Sequence, residues 1–238
     1  MKKKALTIAL AAALGAGGMM AQAYEQGDWV LRVGATTVDP DTDSDDIILP
    51  EGVVAEADVD DDTQLGIIPM YMVTDKFGVE LLAATPFEHD ITADVKGAPL
   101  SVDAGSTKHL PPTLMVQWYP RGGEDGWQPY FGIGLNYTVF FDEDTDNELI
   151  ETLDALTPPE VVIDDADLDL DDSFGLAAQA GVDIPFSDRW AVNIGIWYID
   201  IDTEAEITPK SGGTSLTPVK FDVDIDPWVY NIGIAYKF

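Results

Sequence analysis

Large apolar residues occupy every second position of the last stretch of the chain: Trp228, Tyr230, Ile232, Ile234, Tyr236 and Phe238 alternate with Val229, Asn231, Gly233, Ala235 and Lys237. A period of two is the period of a strand. Soluble strands alternate too, but six successive oily positions with aromatics at both ends describe a wall facing lipid, where aromatic girdles flank an aliphatic band.

Seven further segments repeat the scheme. Trp29 to Val38 sets Trp29, Leu31, Val33 and Ala35 against Val30, Arg32, Gly34 and Thr36, so a mid-strand arginine faces inward. Thr63 to Val73 sets Leu65, Ile67, Pro69 and Tyr71 outward against Gln64, Gly66, Ile68 and Met70. Pro69 lacks an N–H and predicts a bulge or a missing ladder bond. Phe77 to Thr85 turns Glu80, Leu82 and Ala84 inward. His109 to Tyr119 opens on Pro111 and Pro112 and turns Met115 and Gln117 inward. Phe131 to Phe140 ends with Phe140 inward, Phe174 to Ile184 has Gln179 and Asp183 inward, and Trp190 to Ile199 has Asn193, Trp197 and Ile199 inward.

Links between these segments alternate strictly. Those near Thr74–Lys76, Pro120–Gly126 and Ser187–Arg189 are short; those near Asp39–Asp62, Pro86–Lys108, Asp142–Ser173 and Asp202–Asp226 are long. Ten-residue strands suit a tilted crossing of a bilayer, and bacterial barrels close with an even strand number. The expected fold is all-β: an eight-stranded antiparallel transmembrane β-barrel with short periplasmic turns, four long extracellular loops and both termini periplasmic. A soluble lipocalin-type barrel is the alternative; it would carry its oily face inside.

The amino terminus is consistent with export. Lys2, Lys3 and Lys4 precede an apolar run from Ala5 to Met20, and Ala21-Gln22-Ala23 has the small-x-small form of a cleavage site, so residues 1–23 read as a signal peptide and 24–238 as the barrel. An uncleaved anchor is the alternative, for which the run falls short of the about 20 residues that span a bilayer. All 44 acidic residues lie beyond Ala23, so losing the three leader lysines moves the formal charge from −32 to −35. Nucleic acid is excluded as a partner. There is no cysteine, hence no disulfide or thiolate site.

Several words in these segments belong together: Asp62-Thr-Gln-Leu-Gly66, Gly78-Val-Glu-Leu-Leu-Ala-Ala-Thr-Pro-Phe87, His109-Leu-Pro-Pro-Thr-Leu-Met115, Gln117-Trp-Tyr119, Trp197-Tyr-Ile-Asp-Ile-Asp-Thr203, Asp226-Pro-Trp228 and the final Phe238. In this order they resemble the OmpW family of small outer-membrane barrels. The resemblance implies a narrow, largely apolar channel passing small hydrophobic compounds inward, a lateral exit into the membrane, and service as a receptor for some phage or bacteriocins. It implies that Leu82 and Trp197 constrict the lumen, which the alternation independently turns inward. It also makes Phe238 the signal for the barrel assembly machinery. The long loops are far more acidic than the family pattern.

An eight-stranded barrel encloses only a filled or very narrow interior. The inward set is oily, with Ile68, Met70, Leu82, Met115, Phe140 and Trp197 as the candidate channel lining. Arg32, Glu80, Asp183 and Lys237 form a candidate charged floor, paired as Arg32–Glu80 and Lys237–Asp183, since buried charges persist only when paired. Pro69, Pro111 and Pro112 are the candidate lateral gate, because each interrupts the ladder. A purely structural plug, or a receptor or adhesion barrel with a closed lumen, stays open as the alternative.

No cofactor is expected. The run Asp39-Pro-Asp-Thr-Asp-Ser-Asp-Asp46 fails the EF-hand pattern, with Ser44 in place of the sixth-position glycine and Pro50 in place of the twelfth-position glutamate. It and Asp164–Asp172 read as solvated anionic surface or as loose divalent contacts at the lipopolysaccharide layer. Leu149, Ile150, Leu153 and Leu156 predict a helix over Glu148–Leu156 covering the mouth. The two histidines, His89 and His109, fall at loop or mouth positions. His109 with Ser106 or Ser101 lacks a specified acidic orienter, so no enzyme is expected.

Overall fold

The computed structural model describes residues 23–49 and 52–238. Residues 1–22, most of the expected signal peptide, lie outside the described residues.

Eight strands close on themselves: β1 (Trp29–Asp39), β5 (Asp62–Thr74), β6 (Phe77–Leu82), β9 (Thr113–Trp118), β10 (Gln128–Thr145), β12 (Ser173–Pro185), β13 (Trp190–Ile199) and β17 (Trp228–Lys237). Each pairs antiparallel with its sequential neighbour. The ring closes where β17 meets β1, in register from Val30↔Lys237 to Asp39↔Trp228. The expected inside and outside faces hold on all eight. Outward Ile133 is 73% exposed and Phe174 69%, whereas inward Arg32, Ile68, Met115 and Trp197 are fully buried. Large apolar side chains left bare on every strand are stable only against lipid, which excludes the lipocalin arrangement.

Aromatic pairs mark both rims of the band. At the turn end lie Trp29–Tyr71 and Trp190–Tyr236, with ring centroids 5.0 and 4.7 Å apart; at the far end lies Tyr198–Trp228, at 5.3 Å.

The long links hold more strand than loop. They contain β2 (Asp43–Ser44), β3 (Ile47–Ile48), β4 (Val54–Val59), β7 (Phe87–Val95), β8 (Ser101–Leu110), β11 (Asp165–Leu170), β14 (Asp202–Ser211), β15 (Thr214–Ser215) and β16 (Val219–Asp224). β14 shows why. Past Tyr198 the inward residues remain apolar or small (Ile199, Ile201, Thr203, Ala205, Ile207) while the outward ones turn acidic (Asp200, Asp202, Glu204). The strand is leaving lipid for water: only the outer face needs to change, so the ladder continues. The acidic segment Asp165–Leu170 likewise alternates, burying Ala166 and Leu168.

A helix, α1 (Asn147–Ala155), follows β10. Asp146 caps it by accepting from the Glu148 N–H at 2.8 Å, and Leu149 and Leu153 are buried against the strand extensions. This matches the expected helix within a residue at each end.

Candidate functional site: a sealed floor, an apolar vestibule and a broken wall

The interior is layered, and strand register sets the layers. Near the turn end, β1, β6 and β12 bring Arg32, Glu80 and Asp183 to one level with no exposure. Arg32 forms an ion pair with Glu80 and grips Asp183 with two nitrogens, Nε to Oδ1 at 3.2 Å and Nη2 to Oδ2 at 2.7 Å. The remaining lone pairs are met. Gln117 and Gln179 donate to Glu80 at 2.8 and 2.6 Å; Asn193 and the Tyr24 hydroxyl donate to Asp183 at 2.8 and 3.0 Å. The Tyr119 hydroxyl accepts from Arg32 at 2.7 Å, and the Tyr130 ring lies 4.5 Å from the guanidinium carbon. A charged group dry on all sides persists through such complete pairing.

One expected pair is not formed. Asp183 is occupied by Arg32, Asn193 and Tyr24, so Lys237 turns to the amino-terminal segment, donating to the Ala23 carbonyl at 3.0 Å with Asp28 at 3.6 Å. The need to pair every inward charge suggested Lys237–Asp183; the reach of Arg32 across the barrel decides otherwise. Met70, expected in the channel lining, packs instead with Val30, Met72, Tyr119 and Tyr130 around the floor.

Above the floor sits Trp197, its ring folded back over Gly195, where an added Cβ would lie 2.5 Å from Cη2. Trp197 joins Ile68, Leu82, Met115, Ile199 and Val229 in one apolar cluster that continues upward to Phe140 and brings together five of the six candidate lining residues.

The cluster opens into a cavity between the strand extensions, about 900 Å³ counted out to solvent, with Ile47, Leu149, Leu168, Ile207 and Phe221 in its lining. His89 and His109 line it too. They stand on neighbouring strands with Nε2 atoms 2.8 Å apart, flanked by Phe87 and by Phe140, whose ring stacks on His109 at 5.8 Å. The sequence treated them as separate mouth residues; the register Phe87↔His109 joins them. Ser106 lies on the opposite face of β8 from His109, so the suggested His–Ser pair is not assembled.

The wall is interrupted beside this cluster. The β6–β9 ladder stops at Leu82↔Thr113 and pairing resumes only at Phe87↔His109. Between lie Ala83–Pro86 on one side and Leu110–Pro112 on the other, and Pro86, Pro111 and Pro112 have no N–H to offer. A small cavity reaches this gap, lined by Thr36, Val38, Leu82, Ala84, Phe87 and Pro111 among others. Pro69 behaves differently: its register with β1 is unbroken, with Leu31 opposite, and no bulge forms there. The β5–β6 ladder does lapse at its level, from Met70↔Glu80 until the Ile67 N–H donates to the Ala83 carbonyl at 2.8 Å.

Among the described residues one acidic trio brings carboxylate oxygens within 4.8 Å of one another: Asp200, Asp202 and Asp226 at the upper aromatic rim. It lies outside both acidic runs that suggested cation contacts. Asp226 already accepts from the Tyr198 hydroxyl at 2.8 Å and the Ile201 N–H at 3.2 Å.

Known proteins share both the sequence and the architecture. The pattern of the OmpW family matches residues 25–238. Outer membrane protein W of Vibrio cholerae is 40% identical over 238 residues, the whole of both chains. The crystal structure of OprG from Pseudomonas aeruginosa superposes with a TM-score of 0.77 at 42% identity, covering 92% of this chain and 99% of that one. The solid-state NMR structure of AlkL in DMPC bilayers shares the fold, with a TM-score of 0.61 at 21% identity over 94% and 95% of the two chains. With a closed lipid-facing barrel and these matches in hand, the chain belongs to the OmpW family of outer-membrane β-barrel proteins.

Proposed function

We propose that this barrel is a passive channel for small hydrophobic compounds, which enter the apolar vestibule from outside the cell, are stopped by the Arg32–Glu80–Asp183 floor, and leave sideways into the membrane at the Ala83–Pro86 and Leu110–Pro112 gap. One observation carries the reading: a fully hydrogen-bonded ionic floor lies below an apolar cavity that ends beside a break in the wall. An oily solute crossing the floor would have to displace paired, desolvated charges, whereas moving sideways exchanges one apolar surrounding for another.

In this reading residues 1–23 are the cleaved leader, whose loss takes away the Ala23 carbonyl and leaves Asp28 as the partner of Lys237; both termini and the short turns are periplasmic, the acidic strand extensions meet lipopolysaccharide, and Phe238 is the residue presented to the barrel assembly machinery. A closed receptor or adhesion barrel, used by a phage or bacteriocin, is the second reading. It draws on the complete burial of Trp197 across the lumen.

Uptake of a monoterpene or medium-chain alkane into cells or liposomes separates the two. Wild type is expected to exceed both Leu82→Arg and Trp197→Arg by an order of magnitude or more. Equal uptake by all three would remove the channel and leave the receptor.

A further inference from the structure

Each lip of the wall gap is tied to the strand behind it. On the β6 side the Ile67 N–H donates to the Ala83 carbonyl at 2.8 Å and the Thr85 N–H to the Leu65 carbonyl at 3.0 Å, either side of the isolated bridge Gly66↔Ala84. On the β9 side the Tyr137 N–H donates to the Pro112 carbonyl at 3.2 Å. In a strand the N–H and C=O of one residue point to the same side, and those of its neighbours to the other. Ala83 and Thr85 face β5, so Ala84 faces the gap; Pro112 faces β10, so Pro111 faces the gap. Carrying the Leu82↔Thr113 register two residues further sets Ala84 opposite Pro111.

A closed rung at this pair would need two bonds. Pro111 has no N–H, which removes one. The other would run from the Ala84 N–H to the Pro111 carbonyl, and Thr113 already holds that carbonyl, its Oγ1 lying 3.0 Å away. A carbonyl can only accept, so the one hydroxyl proton of Thr113 is committed there. Thr113 Oγ1 then accepts from Asn136 Nδ2 at 3.0 Å, and Asn136 Oδ1 accepts from the Thr138 hydroxyl at 2.8 Å. All three side chains are fully buried, and Asn136 stands directly across from Thr113 on β10. Among the described residues the Ala84 N–H meets no acceptor.

We infer that Thr113 is a positioning residue that holds the wall gap open, its hydroxyl taking the carbonyl through which β9 would otherwise zip onto Ala84. The inference rests on the uptake reading above and names what keeps its exit from closing. Without that hydroxyl the Pro111 carbonyl is buried and unpaired, a cost that the Ala84 N–H opposite relieves by forming the missing bond. The Asn136–Thr138 pair sets the direction of the hydroxyl, so the gap is maintained by a buried polar chain in an otherwise apolar stretch of the lumen.

The test pairs NMR of the full-length barrel in lipid nanodiscs with monoterpene uptake by cells. Closing the Ala84–Pro111 rung makes Ala83 and Pro112 the adjacent non-hydrogen-bonded pair, with Cα atoms about 4.5 Å apart and α-protons in contact. Thr113→Val keeps the shape and removes the donor. It is expected to gain a nuclear Overhauser contact between the Ala83 and Pro112 α-protons that wild type lacks, and to lower uptake about fivefold, the population shift one neutral hydrogen bond commands. Thr113→Ser returns the hydroxyl and should reverse both effects. Pro111→Ala approaches the closed rung from the other bond, offering an N–H to the Ala84 carbonyl, and should gain the same contact. A barrel merely loosened by a lost bond would lose contacts instead of gaining this one. Absence of the contact in both Thr113→Val and Pro111→Ala overturns the inference and leaves uptake standing. The contact with undiminished uptake supports the inference for the wall and overturns the gap as the exit. The contact in Thr113→Val together with no uptake by wild type overturns the uptake reading alone.

Discussion

Arg32 on the first strand and Asp183 on the sixth, 151 residues apart in sequence, meet through two nitrogen–oxygen contacts at 2.7 and 3.2 Å with no exposure to solvent. Their pairing ties opposite walls of the barrel together and makes the lumen a closed vessel at that level.

Removing the cation should therefore cost more than removing the whole network. Arg32→Ala strands two buried carboxylates and is expected to destabilise the barrel by about 3–5 kcal/mol, while Arg32→Met with Glu80→Gln and Asp183→Asn should lose much less. Urea unfolding in detergent micelles, followed by tryptophan fluorescence, gives both values. A single variant no less stable than the triple would show that the charges are not acting as one unit.

Trp197 holds its position because Gly195 has no side chain. An added Cβ would sit 2.5 Å from the indole and, at Gly181, 2.3 Å from the Tyr130 ring carbon Cζ. Gly195→Ala is expected to cost about 1–3 kcal/mol by overpacking, and Trp197→Phe in the same chain should recover part of it. Additive losses in a double-mutant cycle would mean the two sites do not touch in the folded barrel.

The wall gap can be locked. The chain has no cysteine, so Ala84→Cys with Pro111→Cys introduces one candidate bridge across residues lining the same small cavity. Once oxidised, solute uptake is expected to drop to the level of cells lacking the barrel, and to return on reduction. Unchanged uptake through a verified disulfide would move the exit elsewhere.

The histidine pair makes the upper cavity sensitive to acid. Both residues stand beyond the upper aromatic rim. Burial, the largest effect, holds His89 and His109 below the ordinary imidazole range; the Asp60 carbonyl and the nearby charges of Asp60, Asp61 and Asp62 oppose it at His89, while His89 itself adds to it at His109. A folded-state pKa below the unfolded value means the unfolded segment binds the proton first. The contribution is therefore whole above about pH 6.5 and falls by up to about 1.4 kcal/mol per pH unit per histidine as the pH drops toward the folded values. Amide exchange along β7 and β8, corrected for its intrinsic pH dependence, should reveal faster opening at pH 4.5 than at pH 7.5, with a smaller difference in His89→Phe/His109→Phe. Equal protection at the two pH values in wild type would contradict it.

Strand number, facing and the helix were legible because each is written in local periodicity: Trp228 through Phe238 declares its lipid face without reference to any other segment. The acidic links were harder. In Asp165–Leu170 the alternation of aspartate with alanine and leucine was present, yet charge density suggested a loop; it becomes a strand because outside the bilayer an acidic outer face is what water allows. The direction of Arg32 and its pairing with Glu80 were readable, its second partner, Asp183, was not.

By itself the sequence determined a closed eight-stranded wall, its lipid and lumen faces, and the inward position of Arg32, Glu80, Asp183, Leu82 and Trp197, since a period of two fixes facing residue by residue. Only the tertiary structure decided that Arg32 rather than Lys237 holds Asp183, that His89 and His109 stand within hydrogen-bonding distance, and that the wall lapses between Leu82 and Phe87. Those outcomes depend on stagger between strands, on side-chain reach across a barrel only a few side chains wide, and on which buried groups run out of partners, none of which is expressed within a single strand.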